Sequence, residues 1–396
     1  MKLPRRSVLR GAALGAASVA VPHVARARGG KPWRPNDELR VAVVGIRSRG
    51  RAHVNGFHRL DGVRVVAVCD ADTEFLDREQ AAFTARGESL DTHVDLREVL
   101  EREDVDVIAS ATPNHWHALL TIWACQAGKD VYIEKPVSHN VWEGRQMVRA
   151  ARKYGRIVQT GTQCRSSHSL RDAFAWLREG HLGAITHAQG LCYKPRKSIG
   201  KVHAAVDPPT TLDHDLWTGP APLGRLWRKS LHYDWHWDFA TGNGDMGNQG
   251  IHQMDLCRWV LGHQELSSRV LSVGGRLGYD DDGNTPNTQV TLHEFREGPP
   301  ILFEVRGLPR DRAAMETDWA MDRHRGVGIG AVIHCEGGVL RVPSYSSAFA
   351  LDAEGQEVAA WKGADDHYAN FVAAVRARDA SLLTADIEEG HLSSAL

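Results

Sequence analysis

Short apolar runs alternate with helical periodicity in the first part of the chain. Five Val/Ile-rich runs are bounded by Gly, Asp or Pro: Leu39–Gly45, Val63–Asp70, Asp104–Thr112, Asp130–Glu134 and Arg156–Gly161. Apolar residues recur at i, i+3 and i+4 between them, in Arg51–Leu60, Thr73–Arg86, Trp116–Ala127 and Val141–Tyr154. Uniformly apolar strands are typical of a parallel sheet covered on both faces. The pattern predicts an α/β fold whose N-terminal domain, residues 39–160, is a doubly wound parallel sheet.

The pattern changes after residue 160. A helix is predicted at Ser169–Glu179 and a strand at Ala184–Tyr193, followed by a long irregular stretch, residues 194–247, rich in Pro, Gly, Trp and His. A helix at Ile251–Leu261 precedes six β-like runs: Arg269–Leu277, Thr288–Phe295, Ile301–Leu308, Ala331–Cys335, Val339–Val342 and Ala348–Leu351. Helical patterns follow at His367–Arg378 and Asp386–Leu396. Residues 161–396 are therefore predicted to form an α+β domain with a largely antiparallel sheet.

The first 27 residues have the features of an export signal. Arg5 and Arg6 precede the small, apolar, acid-free run Gly11–Val24, and Ala25-Arg26-Ala27 offers an A-x-A cleavage site. This predicts a twin-arginine (Tat) signal over residues 1–27, a linker over 28–38 and a periplasmic protein. The alternative is an ordinary basic tail. The apolar run is shorter than the ~20 residues that span a bilayer, so no membrane span is predicted.

Charge and composition exclude some classes of function. The formal charge is −1, but five of the 48 Lys and Arg residues and no acidic residue lie in the predicted signal, leaving a net charge of −6. An acidic protein is a poor candidate for binding nucleic acid. The six cysteines form no C-x-x-C pair, which argues against a metal or redox motif. The 12 Trp residues outnumber both Phe and Tyr.

A glycine-containing turn follows the first predicted strand. Gly45-Ile-Arg-Ser-Arg-Gly50 stands where a dinucleotide fold binds the pyrophosphate at a helix N-terminus. Arg47 replaces the middle glycine of G-x-G-x-x-G, so we expect Arg47 or Arg49 to reach the phosphates. Asp70 ends the second strand, where a carboxylate accepts bonds from the adenosine ribose. Ala71 offers nothing to a 2′-phosphate, which favours NAD over NADP. A doubly wound fold that binds no phosphate is the alternative.

Polar motifs follow the third and fourth predicted strands. Thr112-Pro113-Asn114 with His117 and Glu134-Lys135-Pro136 both lie at the carboxyl edge of the sheet, where ligands bind in such folds. The alternative for Lys135 is an ordinary surface lysine. The predicted cofactor site comprises Gly45, Arg47, Ser48, Arg49, Gly50, Asp70, Thr112, Pro113, Asn114, His117, Glu134, Lys135 and Gln163.

These motifs, with the later Gly250-Ile-His252-Gln-Met-Asp255, resemble the Gfo/Idh/MocA oxidoreductase family over about residues 39–395. The resemblance implies a nicotinamide-binding Rossmann domain and a second domain whose open sheet supports a homo-oligomer. Lys135 matches the lysine that hydrogen-bonds the reacting hydroxyl, and His252 matches the catalytic histidine; a core histidine is the alternative. Asn248 stands where the family usually has Asp. Either His252 works with Lys135 alone, or Asp245 or Asp255 substitutes.

Aromatic residues cluster just before that motif. Leu231–Asp238 interleaves Trp with His and Asp, and Trp217 and Trp227 lie upstream. Indoles stack on the apolar faces of sugars while polar groups bond the hydroxyls. The predicted saccharide-binding residues are Arg165, Tyr193, Lys194, Trp235, His236, Trp237, Asn248, His252 and Asp255. Two alternatives remain: aromatic packing between domains, and a metal site from His232, Asp234, His236 and Asp238. Nothing else supports a metal.

Three functions are compatible with these features. The first is an exported NAD-dependent oxidoreductase that acts on a sugar or sugar derivative with a tightly bound cofactor, because free NAD is scarce outside the cytosol. The second is a redox-neutral NAD-dependent glycosidase or lyase acting through a transient 3-keto sugar. The third is a sugar-binding protein with an inert Rossmann domain, against which Lys135 and His252 both argue.

Overall fold

The computed structural model describes residues 38–396. The predicted export signal, residues 1–27, and all of the predicted linker except Glu38 lie outside the described residues.

A six-stranded parallel sheet forms the first unit, in the order β3-β2-β1-β4-β5-β6. Its strands are β1 Leu39–Val44, β2 Val63–Cys69, β3 Asp91–His93, β4 Val107–Ser110, β5 Asp130–Ile133 and β6 Val158–Thr160. Its helices are α1 Arg49–His58, α2 Thr73–Thr84, α3 Leu96–Glu101, α4 Asn114–Gln126 and α5 Val141–Tyr154. The predicted doubly wound domain is confirmed. The sequence pattern missed β3 and α3, because β3 is a polar edge strand and α3 spans less than two turns.

The second unit is built on an eight-stranded sheet in the order β14-β13-β12-β11-β7-β10-β9-β8. It contains α6 His168–Arg178, β7 Ile185–Tyr193, α7 His214–Thr218, α8 Leu231–Asp234, α9 Ile251–Leu261, β8 Arg269–Gly275, β9 Thr288–Glu294, β10 Ile301–Arg306, α10 Arg312–Glu316, β11 Ile329–Cys335, β12 Gly338–Ser344, β13 Ser347–Asp352 and β14 Glu357–Lys362. Neighbouring strands are antiparallel except for the parallel pair β7–β10. This confirms the predicted, largely antiparallel sheet. The edge strand β14 was missed because it is mostly exposed.

Helices α6 and α9 cover one face of this second sheet. Leu170 and Phe174 of α6 and Cys257 of α9 belong to the same buried cluster as Phe303 and Ile333 of the strands. The irregular stretch, residues 194–247, leaves this sheet and crosses to the first unit. A π-helical turn, Met246–Gly250, leads from it into α9. Among residues 38–396, no helix is long and apolar enough to cross a membrane.

The last two helices, α11 His367–Ala377 and α12 Ile387–Ser394, pack against the first unit. Phe371 and Val375 of α11 are fully buried with the strands of the parallel sheet, and Ile387 of α12 joins the cluster on its other side. The end of the chain therefore buries its apolar faces against the Rossmann sheet, although the sequence pattern placed it in the second domain.

Candidate active site

A cavity of about 680 Å³ lies between the carboxyl edge of the parallel sheet, the irregular stretch and the start of α9. Most of the predicted site residues line it: Gly45, Arg47, Ser48, Arg49, Asp70, Thr112, Pro113, Asn114, His117, Glu134, Lys135, Gln163, Trp235, His236, Asn248 and His252. The structure therefore brings together motifs that lie far apart in the chain, from the Gly45 turn to His252.

Two glycines shape the turn after β1. Gly45 has a φ of +76°, and a Cβ there would lie 2.8 Å from the main-chain nitrogen of Thr112. A Cβ on Gly50 would lie 1.7 Å from the carbonyl oxygen of Gly45, which leaves no room for a side chain. Gly50, which was predicted to bind the cofactor, does not line the cavity, and its lack of a side chain allows the turn to close. This tight, glycine-dependent cradle at a helix start fits a dinucleotide phosphate.

The two arginines of the turn have different partners. The Nε of Arg49 lies 2.7 Å from Oε1 of Glu134, so this guanidinium is committed to a carboxylate. Arg47 is exposed and donates one hydrogen bond, from Nη1 to the carbonyl oxygen of His232 at 3.0 Å. Arg47 has further N–H groups and is the arginine better placed to meet a phosphate.

The carboxylate of Asp70 is held by main-chain amides. Its Oδ2 accepts a hydrogen bond from the amide of Ile46 at 2.9 Å, and its Oδ1 accepts one from the amide of Asp72 at 3.1 Å. Burial raises the pKa of Asp70, and these two bonds oppose that rise. Each oxygen keeps lone-pair capacity for a ribose hydroxyl. The residues present thus fit an adenine dinucleotide.

Lys135 follows β5 and reaches toward the second unit. Its Nζ donates a hydrogen bond to the carbonyl oxygen of Asn248 in the π-helical turn. Burial lowers the pKa of Lys135, and the charge of Arg49 lowers it further, while Glu134 opposes the shift. A lowered pKa increases the share of neutral amine, the form that can accept a proton.

Glu134 is buried beside Lys135. Burial alone would raise the pKa of its carboxyl, but the charges of Arg49, His53 and Lys135 bring it below the ordinary value. Glu134 is therefore an anion, and the Nε2 of Gln163 lies 3.4 Å from its Oε1. The ring nitrogens of His117 lie 2.6 Å from the carbonyl oxygen of Pro136 and 2.8 Å from that of Thr112. His117 thus joins the loops after β4 and β5 at the sheet edge.

His252, on the first turn of α9, is buried next to Tyr345, with 4.8 Å between the ring centroids. Burial and the charge of Lys135 lower its pKa well below 6.5, so the imidazole is neutral. Its buried Nδ1 has no hydrogen-bond partner within the part of the chain that the structure describes. A neutral imidazole in the same cavity as Lys135 can exchange a proton or a hydrogen bond with a substrate hydroxyl.

Neither candidate carboxylate lies in the cavity. Asp245 is buried in an ion pair with Arg196, at 2.6 Å. Asp255 is fully buried and accepts bonds from Nε of Arg165 at 2.9 Å and from the hydroxyl of Ser393. Neither of the two proposed substitutes is thus available to His252, and the charged groups that act on it within residues 38–396 include Lys135 and Glu134. Arg165 and Asp255, which were predicted to contact the substrate, do not line the cavity, and this pair ties the segment after β6 to α9 and α12.

Three other predicted substrate residues also lie outside the cavity. Tyr193 donates its hydroxyl hydrogen to Glu304 at 2.8 Å and packs in the separate cluster around Val332. Lys194 donates to Oε1 of Gln249 at 2.9 Å. Trp237 is buried beneath the guanidinium of Arg196, 4.9 Å from the ring centroid. The spacing of these residues along the sequence did not show that they lie outside the cavity.

The aromatic wall has other members than predicted. Trp235 and His236 line the cavity and stack on each other, with 3.6 Å between ring centroids. The Nδ1 of His236 lies 2.6 Å from the carbonyl oxygen of Tyr233, which leaves Nε2 as the acceptor if Nδ1 carries the proton. Trp217 lines the cavity, whereas Trp227 is exposed outside it.

Within the described residues, the His and Asp side chains of the predicted metal alternative do not form a metal site. His232 lies 2.8 Å from a carboxylate oxygen of Asp72, and Asp238 pairs with Arg228. These side chains have separate partners, and within residues 38–396 no group of three or more His, Cys, Asp or Glu side chains could hold a metal ion.

Sequence reasoning missed several cavity residues. Tyr345 comes from the turn between β12 and β13, and its hydroxyl accepts a hydrogen bond from Nε2 of Gln249 at 3.1 Å. No local signal marks this residue. Trp116 and Trp123 of α4 also line the cavity. Their spacing of seven places both on one helix face, which was a usable signal. Tyr233, which also lines the cavity, lies in the predicted aromatic stretch Leu231–Asp238 but was not among the named substrate-binding residues.

Two family models match the chain. The model described as "Oxidoreductase family, NAD-binding Rossmann fold" matches residues 39–162. The model described as "Oxidoreductase family, C-terminal alpha/beta domain" matches residues 181–317. Both belong to the Gfo/Idh/MocA group. Together they span the parallel sheet and the part of the second unit that carries Asn248 and His252.

Curated relatives carry a glycosidase name. The "Glycosyl hydrolase family 109 protein" of Shewanella pealeana is 28% identical over 208 residues, which are 48% of this chain and 46% of the relative. That of Solibacter usitatus is 26% identical over 203 residues, again 48% and 46%. The chain spans about half the length of the curated relatives it matches.

Solved structures share the fold. The WlbA dehydrogenase from Bordetella pertussis, in complex with NADH and UDP-GlcNAcA, superposes with a TM-score of 0.65 at 20% identity, covering 90% of this chain and 93% of that one. Levoglucosan dehydrogenase, in complex with NADH and levoglucosan, superposes with a TM-score of 0.67 at 19% identity, covering 90% and 95%. At these identities the likeness establishes the fold.

Proposed function

The chain belongs to the Gfo/Idh/MocA oxidoreductase family, and from this premise we propose that it is an NAD-dependent oxidoreductase acting on a sugar or sugar derivative. One observation carries the proposal. Lys135 from the first unit and His252 from the second line the same cavity as the Gly45 turn and Asp70. Proton-transfer groups thus face the cavity in which a dinucleotide would be held.

The site residues would handle the substrate's hydroxyl group. NAD, when bound, supplies a hydride acceptor at carbon 4 of its nicotinamide. Lys135 in its neutral form accepts the hydroxyl proton, and the carbonyl oxygen of Asn248 keeps the amino group at the junction between the units. Neutral His252 holds the hydroxyl by a hydrogen bond, and its burial excludes water from that side.

A sugar substrate is supported by the cavity wall and by the relatives. The stacked rings of Trp235 and His236 offer an apolar platform beside polar acceptors. Both solved neighbours described above were crystallised with sugar compounds. Incubating the holoenzyme with a panel of free sugars and glycosides, and detecting keto-sugars by mass spectrometry, tests the proposal. If no panel member is oxidised and the denatured protein releases no nicotinamide nucleotide, the proposal fails.

NAD is the proposed cofactor rather than NADP. The Asp70 carboxylate would repel a 2′-phosphate at the ribose, and no cationic side chain follows it in the sequence at Ala71. Mass spectrometry of the nucleotide released by the wild type should show NAD. An Asp70→Ser variant should take up NADP as well.

The second candidate is a redox-neutral glycosidase or lyase, which the name of the curated relatives favours. Oxidation at carbon 3 would acidify the C–H at carbon 2, and loss of that proton would expel the aglycone from carbon 1 and leave a carbon 1–carbon 2 double bond. In a glycosidase water would add across this bond before the hydride returned to carbon 3, whereas in a lyase the double bond would remain in the product. Incubation of the purified protein with aryl glycosides and no added NAD distinguishes the two. Aglycone release supports elimination, whereas formation of a keto-sugar alone excludes it.

The proposed enzyme is exported and forms a homo-oligomer. The Arg5-Arg6 motif supports Tat-dependent transport to the periplasm, which cell fractionation of an Arg5→Lys/Arg6→Lys double variant would test.

Exposed apolar side chains on β8 and β9, including Leu271, Val273 and Val290, support a homo-oligomer through the second sheet. Light scattering of the purified protein would measure its mass.

A further inference from the structure

Part of the second unit reaches across the junction and completes the wall of the predicted dinucleotide cavity. We call residues 206–237 the strap. Two parts of it, around Trp217 and around His232, line the same cavity as the Gly45 turn and Asp70. The cofactor site is thus not made by the Rossmann unit alone.

The strap is anchored by main-chain bonds next to Asp70. The amide of Thr73 donates to the carbonyl oxygen of Thr211 at 3.0 Å, and the amide of Asp213 donates to that of Ala71 at 2.8 Å. Further along, the indole Nε1 of Trp116 donates to the carbonyl oxygen of Trp217 at 2.9 Å. The strap therefore docks on the loop that follows β2 and on the first turn of α4.

A polar latch forms a second attachment. Nε2 of His232 lies 2.8 Å from Oδ2 of the buried Asp72. The carbonyl oxygen of the same histidine accepts a bond from Nη1 of Arg47 at 3.0 Å. His232 thus connects the loop beside Asp70 to the turn that would bind the pyrophosphate. Phosphate charge next to Arg47 would order the guanidinium that holds the strap.

The strap also has a small core of its own. Leu212, Trp217, Leu226 and Leu231 are buried together and pack against Ala71 and Trp235. A closing bond joins the amide of Val206 to the carbonyl oxygen of Leu226 at 2.8 Å. Because these contacts belong to one cluster, the strap is expected to dock and lift as a unit.

We infer that the strap retains the dinucleotide, so that one cofactor molecule serves successive turnovers. The inference rests on the proposed function. A nucleotide held by the Gly45 turn and Asp70 leaves only when the latch at His232 opens and the strap lifts. The hydride taken from one substrate must then return inside the site, either to a second carbonyl compound or to the same substrate. The strap thereby favours an internal redox cycle over release of reduced cofactor.

Exchange of the bound cofactor tests the inference. The purified holoprotein is diluted into NAD labelled with heavy isotopes, and the nucleotide on the protein is identified by mass spectrometry after gel filtration and denaturation. We expect slow exchange in the wild type. Exchange should accelerate by about tenfold or more in His232→Ala and Asp72→Asn. The free energy of one charge-assisted hydrogen bond corresponds to a change of about tenfold or more in the equilibrium between the docked and the lifted strap.

Both latch variants leave the surrounding helix supported. The asparagine of Asp72→Asn can still cap α2, because its side-chain oxygen can accept the hydrogen bond that the amide of Glu74 now donates to the aspartate. His203→Ala, at an exposed residue before the strap, is the matched control and should exchange cofactor at the wild-type rate.

Hydrogen exchange of the strap provides a readout that is independent of turnover. Amides such as that of Asp213 should exchange more slowly with NAD bound than after its removal, and the difference should shrink in His232→Ala. Equal cofactor exchange rates in wild type and both latch variants would overturn the inference. Hydrogen-exchange rates of the strap amides that do not change when NAD is removed would overturn it as well. A wild type that contains and binds no nicotinamide nucleotide would instead overturn the proposed function.

Discussion

The amino group of Lys135 donates a hydrogen bond to the main-chain carbonyl oxygen of Asn248. The lysine follows β5 of the parallel sheet, and its acceptor lies in the π-helical turn before α9. A π turn exposes carbonyl groups that a regular helix would use internally, and such turns are frequent at functional sites. The lysine is thus held by the backbone of residue 248, a contact that does not depend on which side chain residue 248 carries.

Replacing Lys135 by Met should abolish most hydride transfer while leaving the cofactor bound. The methionine keeps the apolar stem but cannot accept a proton, and loss of a general base typically costs about 10²- to 10⁴-fold in rate. Single-turnover reduction of bound NAD measures the effect, and Lys153→Met on the exposed side of α5 is the control. An unchanged rate in Lys135→Met would refute both enzymatic proposals.

The pH dependence of oxidation should report the lysine rather than the histidine. Burial lowers the pKa of Lys135 from 10.5, so the rate should rise with pH as the amine loses its proton and level off below pH 10.5. The pKa of His252 is lowered well below 6.5, so no step near 6.5 is expected. His252→Asn should slow the reaction but keep the rising limb, and Lys135→Met should remove it. A limb near 6.5 that His252→Asn removes would assign the proton to the histidine.

Trp235→Ala should weaken substrate binding more than it slows the chemistry. Loss of an aromatic platform is expected to raise KM by about tenfold, with a smaller change in kcat. Trp142→Ala removes an equally large ring that lies exposed on α5, outside the cavity and the strap, and should change neither constant. Steady-state kinetics on the first glycoside or sugar found to react would measure both. Equal effects of the two substitutions would argue against a saccharide wall.

Asp255→Asn should destabilise the fold without altering the site. The carboxylate is fully buried against Arg165, and removing one charge of a buried pair typically costs about 3–5 kcal/mol. Urea denaturation measures the loss, with Asp172→Asn on the exposed face of α6 as the control. The kcat/KM of the folded protein should stay at the wild-type value; a selective fall in activity at unchanged stability would restore Asp255 as a site residue.

Gly50→Ala should disrupt the turn that is proposed to hold the phosphates. Its Cβ would lie 1.7 Å from the carbonyl oxygen of Gly45, so the turn must shift, at a cost of about 1–3 kcal/mol. Gly328→Ala, outside the cavity and the strap, is the matched control, because the nearest atom to a Cβ there is the carbonyl oxygen of Asp322 at 3.6 Å. The thermal midpoint and the NAD content of the purified protein should both fall in the first variant alone. Full NAD content in Gly50→Ala would show that the cradle tolerates the change.

Periodicity and motif position determined much of this protein from sequence alone. The Val/Ile-rich runs predict a parallel sheet, and the carboxyl ends of parallel strands meet at one edge. That geometry is enough to place the Gly45 turn, Asp70 and Lys135 close together. His252 and Asn248 could be added only through the family resemblance, because their distance along the chain carries no spatial information.

The tertiary structure decided which polar side chains face the cavity and which serve as internal ties. Arg165 and Asp255 have the residue types of a sugar site, yet they neutralise each other inside the protein. Tyr345 enters the site from a distant segment that no local pattern marks. The aromatic cluster indicated part of the strap, but it did not show that the strap docks beside Asp70. Secondary structure follows from the order of neighbouring residues, but side-chain partners across a long chain separation depend on how whole elements pack. The sequence therefore determined the sheet and its binding edge, and only long-range packing determined the wall that closes it.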